Sequence, residues 1–250
     1  MTILDIYNYY DTICPYNTAM DFDNPGLNIG DLNKECKRVL FALDCSMDVA
    51  RFAYENKCDL IITHHPLIFN PIKAIHSDDV VYYLINKDIS LLSLHTNLDT
   101  AENGVNDVLC KKIGLKRVNK IQTDDGYTLN CGIVNPMPAE IFAKELHNSL
   151  NVPVKYACKE GKIISNVLVC SGSGGNYIEF AHKSGYDALV TADVKHDKFI
   201  YANNYGIALY DCGHFETENI IIEPLLTDFT SHFNNISAIS YNSSPIRYCY

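Results

Sequence analysis

Short apolar runs alternate along the chain with segments of helical spacing, and this pattern predicts an α/β protein. In the first half the runs predict three strands, Arg38–Asp44, Asp59–Thr63 and Ile89–Leu94, with a helix after Ser46. In the second half they predict strands over Val167–Cys170, Asp187–Thr191 and Ile207–Tyr210, and a helix over Tyr177–Lys183. Strands that alternate with helices in this way are expected to form a sheet covered by helices.

The two halves repeat one another. Several residues recur at a constant offset of 128: Phe52, Asp59 and Thr63 correspond to Phe180, Asp187 and Thr191 (180 − 52 = 128). Each half also has the order strand, turn, helix, strand, and then a further strand that ends in a His-x-x-x-acid motif. We therefore predict an internal duplication, with lobes over residues 1–125 and 126–250 and with the polar segment Asn119–Asn130 as the joint.

Two histidines follow the first of three strand ends that carry candidate chemistry. Thr63-His64-His65-Pro66 closes a predicted strand. Past the strand the side chains no longer alternate, so both rings can turn toward one point, and Pro66 stiffens the exit by fixing φ. Ligands of open α/β sheets gather at the carboxyl ends of strands. Taken alone, the motif is equally compatible with two hydrated surface histidines.

The other two strand ends carry His-x-x-x-acid motifs, His95 to Asp99 and His214 to Glu218. If a helix begins near Thr96, His95 and Asp99 lie on one helical face and converge. The alternative is that Asp99 is only a first-turn acid favoured by the helix dipole. In the second motif, Glu216 is an alternative to Glu218 as the functional acid.

Together the three motifs predict one site for two metal ions, built from histidines and carboxylates: His64, His65, Asp99, His214 and Glu218. Imidazole and carboxylate ligands suit zinc, iron, manganese, cobalt or nickel, and availability rather than ligand type selects among these metals. A carboxylate can bridge two cations about 3.5–4 Å apart, the arrangement that polarises a substrate and activates water.

Composition narrows the class of protein. Hydrophobic residues make up 47% and charged residues 20% of the 250 residues, as in globular proteins. No apolar run has the length of a membrane span, and the N-terminus has no export signal, so we expect a cytoplasmic protein. The ten cysteines form no C-x-x-C pair and are expected to be reduced thiols. The net charge of −10 disfavours a nucleic acid on the outer surface.

The motifs, in their order along the chain, resemble the Nif-three-like family, whose members are often named GTP cyclohydrolase I type 2 homologues. The resemblance covers about residues 23–223 and rests on Asp23-Asn-Pro-Gly-Leu-Asn-Ile-Gly30, Thr63-His-His-Pro66, His95-x-x-x-Asp99, Cys170-Ser-Gly-Ser-Gly-Gly175, Thr191-Ala-Asp-Val-Lys-His196 and Gly213-His-x-x-x-Glu218. It implies two similar, interlocked α/β/α lobes with a dinuclear metal site in the cleft between them, assembled into a homohexameric ring. The chain corresponds to the compact form, without the domain that longer members insert.

The resemblance also assigns residues. It carries the family's metal ligands onto His64, His65, Asp99, His214 and Glu218, with both acids as candidate bridges, and it places His95 as a ligand or a group next to the ligands. The chain departs from the family where Ala192 replaces a usual glycine and where His196-Asp197 replaces a usual Tyr-His. These departures weaken any transfer of substrate-contacting residues.

Two candidates outside the metal motifs have competing interpretations. The loop Ser171–Gly175 lies between a strand and a helix and can either present backbone amides to an anion or form a tight turn, and we favour the turn. His196 is a candidate general acid or base, with a solvated surface histidine as the alternative.

Two functions fit these features. The first is a metal-dependent hydrolase that uses a metal-bound water on a small-molecule substrate, for which the cyclohydrolase name suggests a purine nucleotide. The second is a non-catalytic metal-binding or regulatory ring assembly that acts through a protein or DNA partner. Open coordination positions would distinguish the hydrolase from a closed structural site, and the ligand count favours the hydrolase.

Overall fold

The computed structural model describes residues 1–249. Its strands are β1 (Gly26–Ile29), β2 (Arg38–Ala42), β3 (Leu60–Thr63), β4 (Ser90–Ser93), β5 (Lys116–Gln122), β6 (Thr128–Pro138), β7 (Lys155–Ala157), β8 (Ile163–Val169), β9 (Ala188–Thr191), β10 (Ala208–Asp211) and β11 (Ser237–Ser240). Its α-helices are α1 (Ile3–Ile13), α2 (Met47–Glu55), α3 (Val80–Asn86), α4 (Thr96–Thr100), α5 (Val105–Lys112), α6 (Ala139–Leu150), α7 (Ile178–Lys183), α8 (His196–Tyr205), α9 (His214–Glu218) and α10 (Ile222–His232). The α/β prediction is confirmed.

The chain forms two compact units, and the first of them is discontinuous in sequence. This first unit contains residues up to Glu102 and the segment that begins at Ile221, and the second unit is Asn103–Ile220. The division differs from the expected lobes over residues 1–125 and 126–250. The chain therefore leaves the first unit once and returns to it near its C-terminal end.

In the first unit, a five-stranded sheet has the order β1-β4-β3-β2-β11. All neighbours are parallel except β1, which is antiparallel to β4. Side chains of α2 and α3 pack with one face of the sheet in a buried apolar cluster, and Phe229 of α10 packs edge-on against Phe41 of β2 at 5.3 Å. Because every residue of β3 and β4 is buried, these strands are continuous apolar runs rather than alternating ones.

The second unit contains a six-stranded sheet with the order β5-β6-β8-β9-β10-β7. Strands β8, β9 and β10 are parallel, and the others are antiparallel to their neighbours. Phe142 and Leu146 of α6 join Val167, Val190 and Tyr210 in a buried apolar cluster, whereas α7 and α8 contact β9 and β10. This unit is also an α/β layered structure.

Four strands have the same arrangement in the two units: β1-β4-β3-β2 in the first and β7-β10-β9-β8 in the second. The similarity extends to individual hydrogen bonds. Asp59 accepts from the backbone amides of Lys37 and Arg38, and Asp187 accepts from those of Ser165 and Asn166. All three positions keep the offset of 128 (187 − 59, 165 − 37 and 166 − 38). An internal duplication would produce this agreement.

The segment predicted to join the halves lies inside the second unit. Asn119–Asn130 contains the turn of the hairpin formed by β5 and β6, in which the amide of Thr123 donates to the carbonyl of Tyr127 at 2.8 Å. Asp124-Asp125-Gly126 therefore connects two paired strands. Polar turn residues look alike in hairpin turns and in linkers, which explains why the sequence suggested a joint here.

All ten cysteines are free thiols, and seven of them are buried. Within residues 1–249, no helix has the length and apolarity needed to cross a membrane.

Candidate metal centre

Three histidines of the first unit converge at the carboxyl ends of β3 and β4. Ligand nitrogens of His64, His65 and His95 all lie within 4.8 Å of one another. Their ring centroids are 5.0, 5.2 and 5.5 Å apart in the three pairs. The convergence follows from the topology, because β3 and β4 are parallel neighbours and their carboxyl ends meet at one edge of the sheet.

His64 is fully buried and is held by the backbone of the neighbouring strand end. Its Nδ1 lies 2.8 Å from the carbonyl oxygen of Leu94. A carbonyl oxygen only accepts, so Nδ1 carries the proton and Nε2 carries the lone pair of the neutral ring. Nε2 is also the atom that lies 3.5 Å from Oδ1 of Asp99. The side chain is thus in the tautomer that a metal ligand needs.

His65 and His95 are each oriented by a carboxylate. His65 Nδ1 lies 2.7 Å from Oδ1 of Asp44, and His95 Nδ1 lies 2.7 Å from Oδ1 of Asp23. Metal-binding histidines commonly donate their second ring nitrogen to a carboxylate, which fixes the tautomer and raises the basicity of the ligating nitrogen. The two pairs therefore have the form of carboxylate–histidine–metal arrangements.

Asp23 is part of a turn that is tied to the start of α4. The amide of Asp23 donates to the carbonyl of Met20, and Oδ2 of Asp23 accepts from both the amide and the hydroxyl of Thr96. Burial by itself would raise the pKa of Asp23, but hydrogen bonds from His95 and Thr96 lower that pKa to about 2. The carboxylate is therefore charged where it faces His95.

Asp99 lies on a helix that begins at Thr96, which is the condition under which His95 and Asp99 were expected to converge. Helix α4 spans Thr96–Thr100, and the amide of Asp99 donates to the carbonyl of His95 at 3.0 Å. Asp99 is 5% exposed. A carboxylate with so little access to water is costly unless a cation or hydrogen bonds compensate for it. Its position beside His64 makes it a candidate carboxylate ligand of this cluster.

In the second unit, His214 and Glu218 lie one turn apart on α9. Nε2 of His214 is 2.9 Å from Oε2 of Glu218, and Nδ1 is 2.6 Å from Oδ2 of Asp193. Burial would lower the pKa of His214, but the hydrogen bond and the charge of Glu218, followed by those of Asp193, raise it to about 9. Glu218 is buried, whereas Glu216 is half-buried. The pairing with His214 selects Glu218 over Glu216.

The glycine-rich loop of the second unit lies directly against this pair. Gly172 has φ of +57°, and a Cβ at this position would overlap Oε1 of Glu218 and lie 3.2 Å from Nε2 of His214. The amide of Gly172 donates to Oγ1 of Thr217, and the amide of Gly174 donates to Oγ1 of Thr191. Two of the loop's amides therefore donate hydrogen bonds to threonine hydroxyls within the protein. This is expected for a tight turn rather than for an anion-binding loop.

His196 is exposed and is the first residue of α8. A role as general acid or base stays a prediction.

Sequence reasoning did not single out Asp23, Asp44 or Asp193 as functional residues, and Asp23 and Asp193 appeared only within motifs of the family resemblance. Each of these aspartates contacts Nδ1 of one histidine. The only signal in the sequence was that Asp23 and Asp193 lie in those motifs and that Asp44 ends a predicted strand. Such a position does not reveal which ring an aspartate faces.

The donor set suits divalent metals of intermediate softness. The candidate ligands are imidazole nitrogens and carboxylate oxygens, and each of His64, His65, His95 and His214 has its Nδ1 engaged by a carbonyl or a carboxylate. Nε2 is therefore the nitrogen that each of the four rings could offer to a metal. Metals such as zinc, iron, manganese, cobalt and nickel accept this combination.

Comparison with known proteins identifies relatives along the whole chain. The family model Duf34/NIF3 (NGG1p interacting factor 3) matches residues 1–245. A GTP cyclohydrolase 1 type 2 homolog of Clostridium acetobutylicum is 32% identical over 229 residues, which cover 87% of this chain and 85% of that protein. The homolog of the same name from Campylobacter jejuni is 31% identical and covers 99% of this chain and 100% of the relative. The crystal structure of Staphylococcus aureus hypothetical protein SA1388 superposes with a TM-score of 0.91 at 30% identity, covering 100% of this chain and 99% of that one.

Proposed function

Because the chain belongs to the Duf34/NIF3 family, we propose that it is a dinuclear metal-binding protein that acts as a metal-dependent hydrolase. The proposed ligands are His64, His65, His95 and Asp99 of the first unit and His214 and Glu218 of the second. Asp99 and Glu218 are the proposed bridging carboxylates.

The observation that supports the proposal most directly is the cluster of three histidines in the first unit. Three imidazoles within 4.8 Å of one another, each with Nδ1 held by an acceptor, are costly to assemble unless they have a common partner. Protonated rings would repel at this separation. A divalent cation would instead be held by their Nε2 atoms.

The residues of the chain have separate tasks in this proposal. Two bound cations would polarise the substrate and make water more acidic. Asp44, Asp23 and Asp193 keep the histidine rings oriented, so that ligand geometry does not change when substrate binds. His196 is the proposed residue that exchanges a proton with the substrate, from its exposed position at the start of α8.

The substrate class is suggested only by the relatives' names. Two relatives named GTP cyclohydrolase 1 type 2 homolog make purine nucleotides the first compounds to test. We also propose a homohexameric ring, in line with the family resemblance. Light scattering that finds a stable monomer would contradict the ring.

The deciding experiment is metal content per chain on freshly purified protein, combined with a hydrolysis screen of nucleotides, phosphoesters and cyclic amides. About two metals and metal-dependent turnover are the expected result. Two metals with no turnover in any class would favour the non-catalytic metal-binding or regulatory role instead. Less than one metal after reloading would remove the metal site itself.

A further inference from the structure

Two exposed phenylalanines lie beside the histidine cluster of the first unit. Phe22 is 60% exposed and Phe69 is 42% exposed, and their ring centroids are 6.0 Å apart with a tilt of 43°. The centroid of Phe69 is also 6.1 Å from that of His95. Apolar rings of this size are usually buried, so a pair left in solvent next to a candidate ligand requires an explanation.

The backbone of Phe22 is held in place by the residues that position His95. Phe22 lies in the turn from Met20 to Asp23, which closes through the amide of Asp23 and the carbonyl of Met20 at 2.9 Å. One end of this turn donates from the amide of Met20 to Oγ1 of Thr96, and at the other end the Asp23 carboxylate binds His95. The position of Phe22 is therefore coupled to the position of the candidate ligand.

Phe69 is also anchored, although it lies in a segment without regular structure between β3 and α3. Its neighbour Ile68 accepts from Nδ2 of Asn24 at 2.6 Å and donates its amide to Oδ1 of Asn28 at 3.4 Å. Both asparagines lie just after Asp23 in the sequence. A single stretch of chain thus carries Phe22, orients His95 and fixes the base of the segment that carries Phe69.

We propose that Phe22 and Phe69 bind a planar aromatic ring of the substrate, whose polar or anionic group is held by the metals. This inference rests on the proposed metal site and extends it to a substrate class. Aromatic rings attract one another in stacked or edge-on arrangements at centroid separations of about 4.5–7 Å. Since Phe69 lies 6.1 Å from the candidate ligand His95, the two anchored rings can offer such contacts to a third ring beside the histidine cluster.

The test uses two ligands that differ only in the ring and that hydrolysis cannot destroy, phenylphosphonate and methylphosphonate. Titration calorimetry on the metal-loaded protein gives the ratio of their dissociation constants. Stacking on aromatic side chains contributes about 1–3 kcal/mol per base, so phenylphosphonate should bind about 5- to 150-fold more tightly. Phe22→Ala and Phe69→Ala should each bring the ratio closer to one and leave methylphosphonate binding unchanged.

Two matched variants separate stacking from a general loss of apolar surface. Phe69→Tyr keeps the ring and should keep the ratio. Tyr82→Ala removes a ring that is 44% exposed on α3 of the same unit and should also keep it. A ratio near one in the unsubstituted protein, or an unchanged ratio in both alanine variants, would overturn the proposal.

Metal analysis and light scattering on the same samples distinguish failure of the aromatic site from failure of the proposed metal site. Protein that holds two metals but shows no preference for the phenyl ligand keeps the proposed function and loses only the aromatic site. Protein that cannot be loaded with metal loses both. If the alanine variants change the oligomeric state while the ratio persists, the pair belongs to an interface between copies of the chain, and the substrate assignment is wrong.

Discussion

The two units share a strand order but differ in how they provide candidate ligands. The first unit brings His64, His65, His95 and Asp99 together, whereas the second provides His214 and Glu218. At the offset of 128, His64 corresponds to Ala192 and His65 to Asp193 (193 − 65 = 128). The position that provides a candidate ligand in one unit therefore provides a residue that orients a ligand in the other.

A second pair of equivalent positions shows how this exchange is accommodated. Asp44, which orients His65, corresponds to Gly172 (172 − 44 = 128). At Gly172 a side chain would overlap the carboxylate of Glu218, and the second unit has no histidine at position 193 that residue 172 would need to orient. Asp193 instead contacts Nδ1 of His214, whose counterpart His95 is oriented by Asp23.

The His-x-x-x-acid motifs differ by one residue in their attachment to the strands. In the sheets, Thr63 pairs with Ser93 and Thr191 pairs with Asp211, which gives an offset of 118 for the last strand (211 − 93). The histidines have an offset of 119 (214 − 95). The second unit therefore has one extra residue between strand and histidine. Its helix starts after Gly213 at φ of +79°, whereas the first unit's helix starts after His95 itself.

The largest expected difference is between substitutions at the equivalent positions 65 and 193. His65→Ala removes a proposed ligand and should lower the bound metal by at least one equivalent per chain. Asp193→Ala removes only the partner of a ligand and should keep the stoichiometry while weakening the affinity by about 10–100-fold. Elemental analysis after dialysis measures the stoichiometry, and competition with a chelator measures the affinity. Equal effects of the two substitutions would contradict the assigned division of roles.

The two acids of the motifs offer the next comparison. Glu218→Gln should impair both metals if this carboxylate bridges them, and Asp99→Asn should do the same, because an amide is a weaker ligand for a divalent cation than a carboxylate. Metal titration of each variant counts the sites that remain. Loss of one metal only in either variant would show that its acid is a terminal ligand.

Gly172 allows a smaller effect to be separated into two causes. Gly172→Ala places a side chain both at a left-handed φ and against Glu218, whereas Gly114→Ala meets only the first problem, because φ there is +76° and no atom lies within 4 Å. The left-handed conformation costs about 1–2 kcal/mol for a residue with a Cβ. We expect Gly114→Ala to lose this amount of unfolding free energy. Gly172→Ala should lose more and should also bind metal more weakly. Urea denaturation measures the unfolding free energy, and metal titration measures the binding. Equal losses with unchanged metal binding would show that the loop can move away from Glu218.

The strands that carry the candidate site were predictable because they are buried on both faces. The apolar runs predicted β3, β4, β9 and β10 to within one residue at each end. Strand β5 could not be found in this way, because six of its seven residues are exposed and it depends on pairing with β6. The boundaries of the two units could not be predicted either, because no change in composition marks the point near Ile221 where the chain returns to the first unit.

The candidate site was only partly predictable for a related reason. Histidine next to histidine at the end of an apolar strand is an unusual pattern, so the ligand types stand out in the sequence. Asp44 and Asp193 are ordinary loop aspartates until the fold brings them to a ring nitrogen. Phe22 and Phe69 similarly look like core residues in the sequence, and only their exposure in the structure marks them.

The last comparison concerns the equivalent aspartates Asp59 and Asp187, which test the framework rather than the site. Asp59 and Asp187 each accept two backbone hydrogen bonds, and Asp187 also contacts Nζ of Lys162 at 3.1 Å. A hydrogen bond contributes about 0.5–1.5 kcal/mol net, so Asp59→Ala and Asp187→Ala should each lower the unfolding free energy by about 1–3 kcal/mol. The partly exposed ion pair with Lys162 should add little in the second case. Urea denaturation measures both losses. If one substitution were neutral and the other were not, the aspartate would stabilise only one of the two units. The shared hydrogen-bond pattern would then not reflect a shared structural role.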